Sequence, residues 1–134
     1  MNIALPAPTP ATNAQFRLNH YSTMMLDFTE PEWILNPFND DGPIDIADTS
    51  LTLYESLNTD FDTLYYDMVF FRLPTWTAQV QTVIQNTWDS LRYNGYFCVY
   101  AKPDDYSNLE VLLGVRTTQV PIVEHDEIIF VWVK

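Results

Sequence analysis

Basic residues are scarce in this chain. Six Lys and Arg stand against 18 Asp and Glu, a formal net charge of −12 over 134 residues. The six bases (Arg17, Arg72, Arg92, Lys102, Arg116 and Lys134) are scattered along the sequence. They form no stripe to neutralise a phosphate backbone, so direct binding to nucleic acid is not expected. Cysteine is nearly absent: Cys98, between Phe97 and Val99, cannot form an internal disulfide and reads as a buried core thiol. Glycine occurs only at positions 42, 95 and 114, which limits where the backbone can pass close to a ligand. No apolar run approaches the roughly 20 residues that span a bilayer. Residues 1–15 lack the basic start and apolar stretch of a signal peptide, so an intracellular site, cytoplasmic or within a virion, is expected.

Apolar residues are plentiful by contrast, at 47%, with eight Tyr, eight Phe and four Trp. That composition supports a globular core and excludes a disordered chain. Pro6, Pro8 and Pro10 alternate with small residues, so residues 1–15 are expected to form an extended arm. Residues 16–134 then make one domain. Trp33-Ile34-Leu35 is a short strand ending at Asn36-Pro37, and residues 36–62 are acidic with no base among them. Ser50–Leu57 is expected to be helical, broken by Asn58-Thr59-Asp60.

The second half has the clearest pattern. Tyr66–Phe71 is an apolar strand, and Trp76, Val80, Val83, Ile84, Thr87, Trp88 and Leu91 repeat at helical spacing. Thr75 is the expected N-cap of that helix, and Asn94-Gly95 its stop. Tyr96–Tyr100 is a second buried strand. Asp104 or Asp105 is expected to cap a helix through Leu113 that ends at Gly114. Thr117–Val123 and Glu127–Val133 read as a terminal hairpin around Glu124-His125-Asp126. Strand, helix, strand, helix and hairpin are the second half of a doubly wound α/β domain.

Three segments resemble the Rossmann-like S-adenosylmethionine-dependent methyltransferases. The stretch from Trp33 to Gly42 is similar to the family's first strand and cofactor loop. Tyr66-Asp67-Met68-Val69 is similar to its fourth strand, and Leu91–Phe97 to the step into its fifth. The resemblance covers residues 33–134 and implies a small Rossmann-like, mostly parallel sheet with a C-terminal antiparallel hairpin. If S-adenosylmethionine binds, it implies Asn36, Phe38, Asp40, Gly42 and Asp67 as the contact residues. The departures are specific. Asn36 replaces the motif's leading acid, and Asp40 replaces a glycine. Residues 42–66 leave room for about one helix and one short strand, where the family fits two of each. Base-modifying members carry Asp or Asn before Pro-Pro at the exit of the fourth strand. Here the turn is Phe71-Arg72-Leu73-Pro74, and a guanidinium cannot accept a hydrogen bond from a target amine.

Other arrangements weigh less. Residues 37–48 have the spacing of a calcium loop around Gly42, but Pro37 stands where the first ligand belongs. His20 and His125 are far apart and not at metal-ligand spacing, so no metal is expected. The aromatics follow strand and helix periods and are assigned mainly to the core. Trp33, Tyr93, Tyr96, Tyr100 and Trp132 exceed what so small a domain is expected to bury, and are candidates for a protein interface. The expected role is a non-catalytic subunit of a larger assembly, a viral particle or an enzyme complex, with no cofactor and no catalytic residue. Its arm (Pro6, Pro8, Pro10) and its exposed aromatics would meet the partner, with self-association left open. The alternatives are an active methyltransferase completed by a partner or an oligomer, and an acidic inhibitor of a basic protein.

Overall fold

The computed structural model describes residues 21–26, 31–40, 44–114, 118–122 and 127–134. The proline arm, both histidines and Gly42 lie outside those residues. The described elements are helix α1 (residues 21–26), β1 (Ile34–Asn36), β2 (Thr49–Ser50), α2 (Leu53–Leu57), β3 (Tyr66–Arg72) and α3 (Ala78–Ser90). They continue with β4 (Leu91–Ala101), a 3₁₀ turn at Pro103–Asp105, α4 (Tyr106–Leu113), β5 (Thr118–Ile122) and β6 (Glu127–Val133). The strands form one sheet in the order β2-β1-β3-β4-β6-β5. The pairs β1–β2, β1–β3 and β3–β4 are parallel, whereas β4–β6 and β5–β6 are antiparallel. This is a small Rossmann-like α/β fold, a mostly parallel sheet closed by an antiparallel C-terminal hairpin, and β2 with α2 fill the short interval between residues 42 and 66.

Both faces of the sheet are buried, as parallel strands require. Period-2 alternation sends Leu35, Val69, Phe71, Phe97, Val99, Phe130 and Trp132 to one face, where α3 and α4 add Val80, Val83, Ile84 and Leu109. Ile34, Met68, Phe70, Cys98, Tyr100, Ile129 and Val131 point to the other, against Met25 of α1 and Ile44. Tyr100 and Trp132 are therefore interior, at 0% and 1% exposure, not surface aromatics. The sheet is covered on both sides, so even large rings at its centre find neighbours. Trp33 and Tyr93 do remain exposed. Burial also pushes the Cys98 thiol well above its ordinary pKa, so almost no thiolate forms near neutrality. Native protein is expected to resist a thiol reagent for hours at pH 8 and to label fully in guanidinium. Labelling at the rate of a free thiol without denaturant would contradict the packing.

Several local expectations need correction, first that of a helix from Ser50: Ser50 belongs to β2, and α2 starts at Leu53 because Thr52 is its N-cap. Helix α3 starts at Ala78, not Trp76, because Thr77 and not Thr75 is the N-cap; its hydroxyl accepts the Val80 N–H at 3.2 Å. The helix ends at Ser90, and Leu91 is already extended, with ψ 133°. Asn94-Gly95 is a bulge inside β4 and not a helix stop. Tyr66 pairs with Leu91 but Met68 with Tyr96, so β4 spends extra residues there and Asn94 takes φ 66° to absorb them. Glycine follows because a Cβ at position 95 would lie 2.8 Å from the carbonyl oxygens of Arg92 and Asp67. At α4, Gly114 is the stop, with φ 84°, but Asp105 makes no side-chain cap.

Candidate functional site

In an open α/β sheet, ligands bind beyond the carboxyl ends of the strands where the order reverses. Here that point lies between β1 and β3, so the segments after Asn36 and Arg72 are the ones to inspect. The segment after β1 is tied down by its own chain. Asn36 is fully buried, and its Oδ1 accepts the Phe38 N–H at 3.1 Å. The Leu51 N–H donates to the Asn36 carbonyl at 2.9 Å, and the Asn39 N–H to the Leu51 carbonyl at 2.8 Å. Asn39 Nδ2 donates to Ser50 Oγ, and Ser56 Oγ to the Pro37 carbonyl at 2.7 Å. Residues 36–40 are thus sewn to β2 and α2 by both backbone and side chains.

Asp40 has a defined task in that seam. Its Oδ2 accepts the N–H of Leu53, the first residue of α2, at 2.8 Å. Thr52 and Glu55 complete a capping box at the same end. A helix N-terminus leaves N–H groups that attract anions, and here the protein's own carboxylate takes that place. Phe38 turns inward to 2% exposure and meets the Phe71 ring edge-on, with centroids 4.9 Å apart. The ring belongs to the core cluster on the face of the sheet that α3 and α4 cover.

The exit of β3 is committed as well. Arg72 pairs with Glu127 of β6 at 3.3 Å, and its guanidinium lies 5.7 Å from the centre of the Tyr100 ring. The Leu73 N–H donates to the Tyr100 carbonyl at 2.9 Å. Glu127 is 6% exposed, and its second oxygen, Oε2, has no hydrogen-bond partner. Sequence reasoning missed Glu127 and Ser56. The signal for Glu127 was an acid opening the apolar strand Ile128–Val133. For Ser56 it was a small hydroxyl on the inner side of a short helix.

Asn36, Phe38 and Asp40 are therefore together at one edge, whereas Asp67 is not with them. Asp67 sits at the start of β3, where its Oδ2 accepts the N–H groups of Glu32 and Trp33, each at 3.0 Å. Its other oxygen meets Arg92 at 2.6 Å. Ile34 pairs with Met68, which places Asp67 at the amino end of the strands, about 10 Å from Asn36 at the usual rise per residue. The side chains of Asn36, Phe38 and Asp40 each meet partners within the chain: the Phe38 N–H, the Phe71 ring and the Leu53 N–H.

The acidic loop has similar internal uses. Asp48 Oδ2 accepts the Ile34 N–H at 2.7 Å, and Asn39 serves Ser50. Among the described residues no group of three or more His, Cys, Asp or Glu is placed to hold a metal ion. No helix among them is long and apolar enough to cross a membrane. Three cavities bounded by described residues open at the amino edge of the strands. One, of about 410 Å³, lies beside Asp67, Arg92 and Tyr93. Two more, about 260 and 230 Å³, share Thr59, Asp60 and Phe61.

No protein-family model matches the chain, and a search of curated proteins finds no match. Solved structures similar to it include the 16S rRNA N2 G1207 methyltransferase RsmC of T. Thermophilus, in complex with AdoMet and guanosine. That match has 20% identity and a TM-score of 0.48 over 64% of this chain, and the chain spans 24% of the Thermus protein. A methyltransferase from Geobacter sulfurreducens matches at 9% identity and TM-score 0.47, over 96% of this chain and 91% of that one. A putative S-adenosyl-L-methionine-dependent methyltransferase from Methanococcus maripaludis matches at 10% and 0.39, over 87% and 62%.

Proposed function

We propose that this protein is a non-catalytic interaction scaffold: a methyltransferase-like sheet whose cofactor position has been given over to holding its own loop. The observation behind this reading is the seam at the end of β1. Asp40 caps α2 through Leu53 N–H, and Phe38 fills the space against Phe71. A cofactor entering there would have to displace a buried ring and leave the first N–H of α2 without its acceptor. Displacing the ring is costly because it is buried, whereas the Leu53 N–H lies at the surface and would exchange its carboxylate for water. At the exit of β3, Arg72 is spent on Glu127 and offers no acceptor to a substrate amine.

Calorimetric titration with S-adenosylmethionine and S-adenosylhomocysteine tests the reading. The expected result is no binding up to millimolar cofactor, for the native protein and for Asp40→Lys alike. Micromolar binding that Asp40→Lys abolishes would replace it with a methyltransferase. Absence of binding would leave the role to a surface other than the strand ends.

A further inference from the structure

At the amino edge of the sheet, opposite the closed loop, the 260 Å³ cavity lies between the starts of β1, β2 and β3 and residues 59–62. Two large rings stand exposed beside each other on its rim: Trp33 at 45% and Tyr65 at 43% exposure, with centroids 5.9 Å apart. Tyr66 meets Tyr65 edge-on at 4.9 Å, and its hydroxyl is fixed on Thr49 Oγ1 at 3.0 Å. The wall is equally fixed. Tyr65 N–H donates to the Ser90 carbonyl at 2.7 Å, and Ser90 Oγ to the Asp62 carbonyl at 2.7 Å.

Asp48, Asp60 and Asp62 also line this cavity, and no Lys, Arg or His does. The nearby cations are held elsewhere. Arg92 pairs with Asp67 at 2.6 Å. Lys134 Nζ donates to the Trp88 carbonyl at 2.8 Å and lies over the rings of Trp88 and Tyr93. Desolvation lowers the Lys134 pKa, and the charge of Asp89 opposes that shift. The cavity therefore joins two exposed aromatic faces to carboxylates without a cation of its own, on a molecule of net charge −12. Both features select a positive, flat, weakly hydrated group. A guanidinium stacks on aromatic rings and pairs with carboxylates in its plane, whereas an ammonium keeps its water.

We infer that this cavity receives an arginine side chain from a basic segment of a protein partner. The inference rests on the scaffold reading for its meaning, yet the two fail separately. Cofactor binding would overturn the scaffold and leave this opposite edge intact. Failure of the cavity would leave the closed loop intact.

The probe is a capped peptide of three arginines spaced by glycine, compared by calorimetry at low ionic strength with its lysine and citrulline counterparts. The variants are Trp33→Ala, Tyr65→Ala and the pair Asp60→Asn with Asp62→Asn. All four positions are exposed, and circular dichroism checks each variant's fold. The arginine peptide should bind saturably, the lysine peptide several-fold more weakly and the citrulline peptide not at all. Each variant should lose about tenfold in affinity for arginine. No binding to the native protein would overturn the inference. So would affinity that falls with salt but ignores Trp33→Ala and Tyr65→Ala, the mark of diffuse attraction to net charge. Equal or tighter binding of lysine would overturn the choice of guanidinium.

Discussion

Replacing Phe38 with alanine should cost about 3–5 kcal/mol of stability, the range for emptying a buried aromatic site. The residue is 2% exposed and stands edge-on to Phe71, which is itself edge-on to Phe97 at 5.6 Å. Removing the first ring uncovers the second and opens a void in the core cluster beneath α3. Collapse cannot easily fill it, because Ser56–Pro37, Asn39–Ser50 and Asp40–Leu53 hold the surrounding loop in place. Since whole domains are stable by only about 5–15 kcal/mol, the transition should fall by on the order of 10 °C. Phe38→Leu keeps most of the volume and should cost well under half as much. Equilibrium unfolding in urea measures both. A change below about 1 kcal/mol for Phe38→Ala would mean that the ring is not part of the core.

Arg72→Met should be nearly as damaging, for a different reason. Glu127 is 94% removed from solvent, with Oε1 on Arg72 and Oε2 unpartnered. Without the guanidinium it becomes a buried charge with no compensation, at a cost of about 3–5 kcal/mol. Arg72 is itself 31% exposed in its side chain, so water entering from that side places the result at the lower end. The double variant Arg72→Met with Glu127→Leu removes the charge along with its partner, and should recover most of the loss. A cycle of the four proteins checks this by denaturant unfolding. Additive losses in the double variant would show that the two side chains act independently and would contradict the pairing.

The parts of this fold that were legible in sequence are those set by periodicity. β3, β6 and the body of α3 follow apolar alternation or helical spacing closely enough to be placed within a residue or two. The ends were not legible, because they depend on partners distant in sequence. Thr75 and Thr77 are equally good caps on paper, and the choice falls on Thr77 because its hydroxyl reaches Val80 N–H. Asn94-Gly95 has the composition of a helix stop, yet β4 has to bulge past Asp67, a contact that spacing along the chain does not reveal. At the site, Asn36 and Asp40 stood out as departures from a motif. Their use as internal ties appeared only once β2 and α2 were seen to close over them. Asp67 looked like part of the same site because family resemblance fixes a residue's strand more readily than its height along the strand. The arginine cavity had no linear signature, since Trp33, Asp48 and the pair Asp60 and Tyr65 come from three segments.

The central claim is that the loop after β1 is closed by its own contacts, and amide NMR of the labelled protein tests it most directly. Amide resonances of Asn36, residues 38–40 and residues 51–56 should stay in place as S-adenosylhomocysteine is raised to millimolar concentration. The Leu53 amide, held by Asp40, should exchange more slowly than in Asp40→Ala. Progressive, saturable shifts confined to those residues, with Leu53 amide exchange already fast in the native protein, would show that the loop opens to a ligand and would contradict the account.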